Sequence, residues 1–204
     1  MNLRNFASFS ALALTSAWLA AKPIIFDFKD PKSINSIIFQ MDAPLESING
    51  SGQGIAGKVF FDPAKPESTS GTITLEVASL HVGNPVLKEH IHGKDWMDAS
   101  TYPQIKFVLN KLENLRKEGL HLLADARGKM TIRNVTKELN APVKVTYLKD
   151  LLVKRNRVPG DLLVIRTKFI IKRDVFGIRP GEKLEKVAND IEISLNVAGA
   201  APAK

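Results

Sequence analysis

The feature that most constrains the fold is a period-two alternation of apolar and polar residues, which recurs in one segment of the chain after another. Ile73, Leu75 and Val77 alternate with polar residues in one segment, and residues 191–197 alternate strictly in another. This period is typical of strands that bury one face. Short connections separate the segments, which favours antiparallel pairing. The sequence therefore predicts an all-β protein, one closed antiparallel β-barrel of about eight strands.

One segment, at about residues 84–97, predicts the single helix of the chain. Pro85 suits the first turn of a helix, and Gly93 is a typical stop signal. Pro103 then forces extended backbone at Tyr102, so that a strand resumes. The residues that can share an apolar face of this helix are Val86, Leu87, Ile91 and Trp96. A short amphipathic helix with strands on both sides is expected to cover one end of the barrel.

The segments after the helix predict further strands and their connections. A strand at residues 105–112 is expected to end in a charged turn at 113–118. The next strand, residues 120–132, places Leu120, Leu122 and a row of small residues on one face, which would leave room inside a barrel wall. A basic hairpin loop is expected at residues 149–161.

The first 21 residues predict a secretory signal peptide. Arg4 supplies a positive start, an apolar stretch follows from Phe6 to Leu19, and Ala20-Ala21 offers a small-residue cleavage site. The alternative is an uncleaved membrane anchor, for which the apolar run is short. The protein is expected to be exported, most simply to the periplasm, with the barrel domain at residues 22–199 and a small-residue tail at 200–204.

Composition narrows the class of partner. The formal net charge is +8, yet most basic residues are scattered singly through the strands. The one dense cluster is Lys154, Arg155 and Arg157, which is expected to face an anionic membrane surface. Aromatic and basic residues do not interleave, which argues against nucleic-acid binding. The chain has no cysteine, so disulfides, thiolate metal sites and a cysteine nucleophile are excluded.

The four histidines do not form a metal-binding pattern. His90 and His92 are two residues apart on the predicted helix, so they point to different faces. Neither His nor an acidic residue follows at the spacing that helical zinc sites use. His90 is expected to cap or orient the helix and His92 to face solvent, and no metal is predicted.

The sequence also lacks the usual catalytic groupings. No serine lies in a nucleophile elbow. Asp95 and Asp98 follow the predicted helix, where acids are more often caps than a catalytic pair. The chain is therefore predicted not to be an enzyme and to carry no cofactor other than a bound lipid.

Three blocks of the chain resemble one known family. They are Glu89-His90-Ile91 with Asp95-Trp96-Met97-Asp98 and Tyr102 to Phe107; Gly128 to Ile132 with Val135-Thr136-Lys137; and Arg173 to Ile178. These blocks resemble the YceI-like family, and the similarity extends over roughly residues 24–197. Two departures are Trp96, where the family usually has Phe, and Val175, where it has Asp. The resemblance implies an exported lipocalin-like barrel that shelters a polyisoprenoid, an isoprenoid-quinone-like chain or a related long apolar lipid.

A set of apolar residues is predicted to line the binding cavity. They are Ile37, Phe39, Ile55, Val59, Phe61, Ile73, Leu75, Val77, Leu87, Ile91, Trp96, Ile105, Phe107, Leu122, Val143, Val145, Ile193 and Leu195. His90 and Arg173 are candidates for contact with a polar head group, while Arg173 and Asp174 are alternatively an ion pair or a turn-fixing pair at the barrel rim. Alternation does not distinguish a hollow barrel from a filled one. The alternative function is a solid-cored envelope module that docks a protein or polymer through its basic loop.

Overall fold

The computed structural model describes residues 22–203, so the predicted signal peptide lies outside the described part of the chain. The eleven strands in this part are β1 (Ile24–Asp27), β2 (Ser36–Asp42), β3 (Ser47–Gly52), β4 (Ile55–Phe61), β5 (Ser70–Glu76), β6 (His81–Val82), β7 (Gln104–Glu118), β8 (His121–Ile132), β9 (Val135–Leu148), β10 (Gly160–Lys172) and β11 (Asp190–Pro202). Its two α-helices are α1 (Pro85–His92) and α2 (Leu152–Asn156), and its three 3-10 turns are Pro66–Ser68, Val77–Ser79 and Asp174–Phe176.

Eight of these strands close into an antiparallel barrel, in the order β1, β4, β5, β7, β8, β9, β10 and β11. The barrel closes where Asp27 of β1 pairs with Ala200 of β11. The earlier part of β11 pairs instead with β2, from which β3 and β6 continue the sheet. The predicted closed barrel of about eight strands is confirmed.

The last strand is longer than its composition indicates. β11 continues to Pro202, which pairs with Gly160, so residues 200–202 of the predicted tail belong to the barrel wall. The small residues here have a packing reason, because a Cβ added to Gly199 would lie 2.5 Å from the ring of Phe28. A glycine in the wall leaves space for a buried ring on its inner side.

The prediction of a charged turn at residues 113–118 is wrong. β7 runs on to Glu118, and two irregularities in its pairing with β8 shift the alternation that the sequence suggested. The charges lie on the outer face, where Glu113 bonds to Lys111 and Arg127. The hairpin turn comes later, so Leu120 stands at its tip and is 79% exposed instead of facing inward.

Helix α1 begins where the sequence predicts and ends sooner. The side chain of Asn84 accepts hydrogen bonds from the first turn, Pro85 opens the helix, and Gly93 ends it. The predicted helix to residue 97 therefore stops at His92, and turns follow. Val86, placed on the apolar face by the sequence, is 58% exposed.

Helix α2 was not predicted. It occupies part of the expected basic loop, and its Leu152 is fully buried. A single buried leucine in a short basic segment gives no helical periodicity, which is why the sequence indicates only a loop. Between residues 22 and 203 no helix is both long enough and apolar enough to cross a bilayer.

Candidate functional site: an apolar cavity inside the barrel

The interior of the barrel contains a cavity of about 210 Å³. The inner faces of all the long strands contribute to its lining, because inward and outward residues alternate along each strand. Fourteen of the eighteen residues predicted to line the cavity do so: Ile37, Phe39, Ile55, Val59, Ile73, Leu75, Ile91, Trp96, Ile105, Phe107, Val143, Val145, Ile193 and Leu195. Their contact with a ligand stays a prediction.

The other four predicted residues lie outside the lining. Phe61 belongs to an aromatic cluster, and Val77 is buried in a 3-10 turn beyond the end of β5. Leu87 of α1 and Leu122 of β8 are partly buried against the core but do not border the cavity. These positions follow from where each strand or helix ends, which alternation within a segment does not reveal.

Several lining residues were missed by the sequence reasoning, most clearly those of β10. Leu163, Ile165, Phe169 and Ile171 all border the cavity. Their signal was present, because these residues alternate with polar ones from 163 to 171 except at Val164 and Ile170. Met97, Phe176 and Ile178 also line the cavity from loops, where no periodicity marks them.

The lining holds few polar groups, and these are already hydrogen-bonded within the protein. The hydroxyl of Thr69 donates to the carbonyl of Pro66 at 2.5 Å, and that of Thr167 donates to the carbonyl of Pro142 at 2.6 Å. The hydroxyl of Thr74 donates to the carbonyl of Ala56 at 3.4 Å. An apolar cavity whose polar groups are satisfied gives water little to bind, so it favours an apolar occupant.

Arg173 is the one charged residue of the lining and is only 1% exposed. Its Nε donates to the carbonyl of Ala188 at 3.1 Å. Nη1 donates to the carbonyls of Ile178, at 2.9 Å, and Arg179, and Nη2 donates to those of Glu182 and Val187. These bonds use all five N–H groups of a guanidinium, so none remains for the predicted contact with a head group.

The hydrogen bonds of Arg173 decide whether Arg173 and Asp174 form an ion pair or fix the turn. No salt bridge joins the two side chains, whereas the guanidinium holds the turn after β10 and the loop up to residue 188. The turn-fixing interpretation is therefore correct. Burial lowers the pKa of Arg173, and Asp174 works in the opposite direction. The group stays cationic because arginine does not lose its proton in proteins.

Arg173 also contacts the segment that follows α1. Its guanidinium carbon lies 5.5 Å from the centre of the Trp96 ring, within cation–π range. Trp96, Met97 and the turn from Arg173 to Ile178 together close one end of the cavity. We call this group of residues the Arg173 cap. The predicted covering of one barrel end by the helical segment thus comes mainly from the residues after α1.

Three aromatic residues close the opposite end. The ring centres of Phe26, Phe61 and Tyr147 lie 5.9 to 6.4 Å apart. Tyr147 pairs with Leu163 near the start of β10, whereas Arg173 follows the end of that strand. We call these three rings the aromatic plug. The Tyr147 hydroxyl donates to Asp161 at 2.7 Å, and burial together with Asp161 raises the pKa of Tyr147 to about 12.

Helix α2 is attached at the plug end by a buried ion pair. Arg155 bonds to Asp30 at 2.7 Å, and the Asp30 side chain is 3% exposed. Burial raises the pKa of Asp30, but backbone N–H groups of Lys32, Ile34 and Asn35, with Arg155, lower it below its usual value. Arg155 is thus largely withdrawn from the surface where it was predicted to meet lipid.

The histidines and acids near α1 have separate structural positions. His90 is exposed and borders no cavity, so its predicted contact with a head group finds no support in this arrangement. His92, expected in solvent, instead has a buried Nε2 without a hydrogen-bond partner in the described chain. Asp95 is exposed and lies near Arg179, and Asp98 accepts the Ser100 hydroxyl within its turn. Across residues 22–203 no three His, Asp or Glu side chains group as a metal site would require.

A closed antiparallel barrel around an interior apolar cavity defines the class of lipocalin-like barrels. A family model described as the YceI-like domain matches residues 30–199. The chain belongs to this family. The resemblance inferred from the three sequence blocks is confirmed.

The chain is similar to curated proteins of several Pseudomonas species. A UPF0312 protein of Pseudomonas syringae pv. syringae is 32% identical over 100 residues, which cover 49% of each chain. A UPF0312 protein of Pseudomonas putida strain W619 is 29% identical over 64% of this chain and 68% of that protein. The chain spans about half the length of the first of these relatives.

Solved structures share the fold. BcnA of Burkholderia cenocepacia is 27% identical with a TM-score of 0.62, over 80% of this chain and 94% of that one. A polyisoprenoid binding domain from Saccharophagus degradans is 11% identical with a TM-score of 0.64, over 89% and 100%. At that low identity the second likeness shows the fold alone.

Proposed function

We propose that this protein is an exported, periplasmic binding protein that shelters a long apolar lipid, of polyisoprenoid or isoprenoid-quinone type, inside its barrel. The observation that carries the proposal is the interior cavity, whose lining is almost wholly hydrocarbon and whose few polar groups are bonded within the protein. The Saccharophagus domain with the same fold is described as polyisoprenoid binding, which supports this class of ligand.

The size of the cavity limits what fits in this state. Its volume of about 210 Å³ exceeds the roughly 150 Å³ of an apolar cavity known to take up benzene. It is smaller than the roughly 300 Å³ at which sites for drug-sized ligands begin. Each buried methylene contributes about 0.8 kcal/mol, so affinity increases with the enclosed length of chain. The remainder of a long chain has to lie outside, or the wall has to move.

The hollow interior favours this function over a solid-cored docking module. The binding of an envelope protein or polymer through the basic segment would not need a cavity. A cavity of this size instead costs stability, because its lining loses packing contacts. A role in ligand binding gives that cost a function.

The surface of α2 supports a further part of the proposal, contact with an anionic membrane. Lys154 and Arg157 are exposed, and the apolar side chains of Leu151 and Val153 beside them are also exposed. Basic residues near an anionic surface contribute about 1 kcal/mol each. Arg155 is left out of this surface because it is bonded to Asp30.

Cavity-filling substitutions test the ligand proposal. Ala126 and Ala141 are buried and line the cavity, so Ala126→Leu and Ala141→Leu should reduce binding of an apolar chain at least tenfold. Ala56→Leu, on β4 and outside the lining, is the matched control. Removal of the predicted signal peptide takes away Trp18, so Trp96 is the only tryptophan of the exported protein, and its fluorescence reports occupancy.

Organic extraction of the protein purified from its native host provides the second measurement. Stoichiometric lipid with a long apolar chain is expected, and cell fractionation should place the protein in the periplasm. The proposal fails if the extract holds no lipid and no apolar probe changes the Trp96 fluorescence.

A further inference from the structure

The barrel wall has an unpaired stretch between β9 and β10. Their pairing runs from Leu148 with Leu162 to Val143 with Thr167 and stops there. Both strands nevertheless continue, β9 back to Val135 and β10 on to Lys172. On their other sides the same stretches are paired, β9 with β8 and β10 with β11. The two strands therefore share no ladder over residues 135–142 of β9 and 168–172 of β10. We call this unpaired stretch the gap.

Pro142 is the local cause of this separation. Pro142 precedes Val143, the last residue of β9 that pairs with β10, and is therefore the first unpaired residue of β9. Proline has no N–H to donate, so it interrupts a ladder in the middle of a sheet. Its carbonyl accepts the hydroxyl of Thr167 instead of a backbone N–H from β10.

The unpaired stretch lies directly over the cavity. Leu139 of β9 and both Phe169 and Ile171 of β10 line the cavity from the two sides of the gap. On the outer surface Val143 and Thr167, which also border the cavity, border a groove of about 680 Å³. The inner cavity and the outer groove thus approach each other where the strands begin to separate.

A row of cations crosses this outer groove. Arg116 of β7 is registered with Leu123 of β8, Leu123 with Lys144 of β9, and Lys144 with Arg166 of β10. We call Arg116, Lys144 and Arg166 the basic row; all three border the groove. None of them forms a salt bridge with a carboxylate in residues 22–203.

The lack of salt bridges in the basic row leaves its positive charges available to an anion. Like charges directly opposite on neighbouring strands are destabilising, and Lys144 is directly opposite Arg166. The one carboxylate of the groove, Asp125, accepts a hydrogen bond from Asn114. Lys168, at the groove edge, is paired with Glu192. An anionic group placed between Lys144 and Arg166 would relieve their repulsion.

The interior cannot hold such an anion. Burying an unpaired charge in apolar surroundings is costly, and all the N–H groups of Arg173 are in use. A ligand with an apolar chain and an anionic head must therefore leave the head outside. Lys144 and Arg166 lie two residues along their strands from Pro142 and Lys168, the first unpaired residues of β9 and β10. At a rise of roughly 3.3 Å per residue this distance is about 7 Å.

We infer that the gap between β9 and β10 admits the apolar chain and that the basic row binds the anionic head group, a phosphate or carboxylate, on the outer wall. This inference rests on the proposed function and adds a head-group class and an entry route. Single-chain anionic amphiphiles are the class of ligand that fits both features.

The head-group part is tested with dodecyl phosphate and dodecanol, two probes with the same chain. Lys144→Gln with Arg166→Gln should weaken binding of dodecyl phosphate about tenfold and leave dodecanol unchanged, with most of the difference lost at high salt. Lys58→Gln with Lys106→Gln removes the same charge from other exposed strand positions and should change neither probe. Equal effects of the two double variants on dodecyl phosphate would overturn the inference. If neither probe binds the unmodified protein, the proposed function fails as well.

The entry part is tested by stapling the gap. The chain has no cysteine, so Asn140→Cys with Ile170→Cys introduces the only thiols, one on each side of the gap. A reducible bifunctional thiol reagent across this pair should slow uptake of dodecanol at least tenfold, and reduction should restore the rate. The control staple, Lys129→Cys with Glu138→Cys, bridges the fully paired strands β8 and β9. Unchanged uptake in the first stapled protein would show that the chain enters elsewhere.

Discussion

The two ends of the barrel are closed by opposite means. The Arg173 cap consists of loop residues held by one buried cation whose five hydrogen bonds reach backbone carbonyls up to fifteen residues away. The aromatic plug consists of rings that project from the strands themselves, with Phe26 fully buried. A cap made of loops depends on one residue, whereas a plug made by strands depends on the whole sheet. The ends should therefore differ in how they respond to mutation and to pH.

The largest expected effect is on the cap. Arg173→Met removes every bond of the guanidinium and leaves five carbonyls without that donor, so the free energy of unfolding should fall by about 3–5 kcal/mol. Urea denaturation measures it. Arg179→Met, which removes a partly exposed cation paired with Glu182, should cost less than about 1 kcal/mol. Similar losses in the two variants would contradict the special position of Arg173.

The plug should be less sensitive to the loss of a single polar group. Tyr147→Phe keeps the ring and removes the hydroxyl that donates to Asp161. The free energy of unfolding should fall by about 1–2 kcal/mol, also by urea denaturation. A loss as large as that of Arg173→Met would mean that the plug, too, depends on a polar bond.

The pH dependence of the free energy of unfolding should distinguish the plug end from the cap end, because the Asp30–Arg155 pair lies at the plug end. The pKa of Asp30 is lower in the folded than in the unfolded chain. Its contribution to stability is therefore complete above the unfolded pKa of about 4 and is lost as the pH falls below it. Asp30→Asn should flatten the acid side of the stability profile. A profile that keeps its full slope in this variant would assign the acid sensitivity to other carboxyl groups.

The smallest expected effect is spectroscopic. In Tyr102→Phe the absorbance of tyrosinate should report Tyr147 alone, with a pKa of about 12. Because this pKa is raised above its unfolded value of about 10, the corresponding stability is present below pH 10 and is lost as the pH rises toward 12. A midpoint near 10 in the folded protein would show that the plug is open to water.

The comparison also explains what sequence reasoning found and missed. Alternation predicted most of the barrel wall because inward residues such as Ile73 and Phe107 obey a local rule. It missed the cap residues Phe176 and Ile178, since loops have no period. It also placed a turn where β7 continues, because bulges shift the alternation without a mark in the composition.

The sequence by itself determined that the chain forms strands with alternating apolar and polar faces and that a helix begins at Pro85, since each of these depends on neighbours along the chain. Family membership was also readable from three local blocks. Only the tertiary structure decided that the interior is hollow, that Arg173 bonds to carbonyls rather than to Asp174, and that β9 and β10 separate at Pro142. Each of these depends on groups far apart in sequence, whose distances no local pattern specifies.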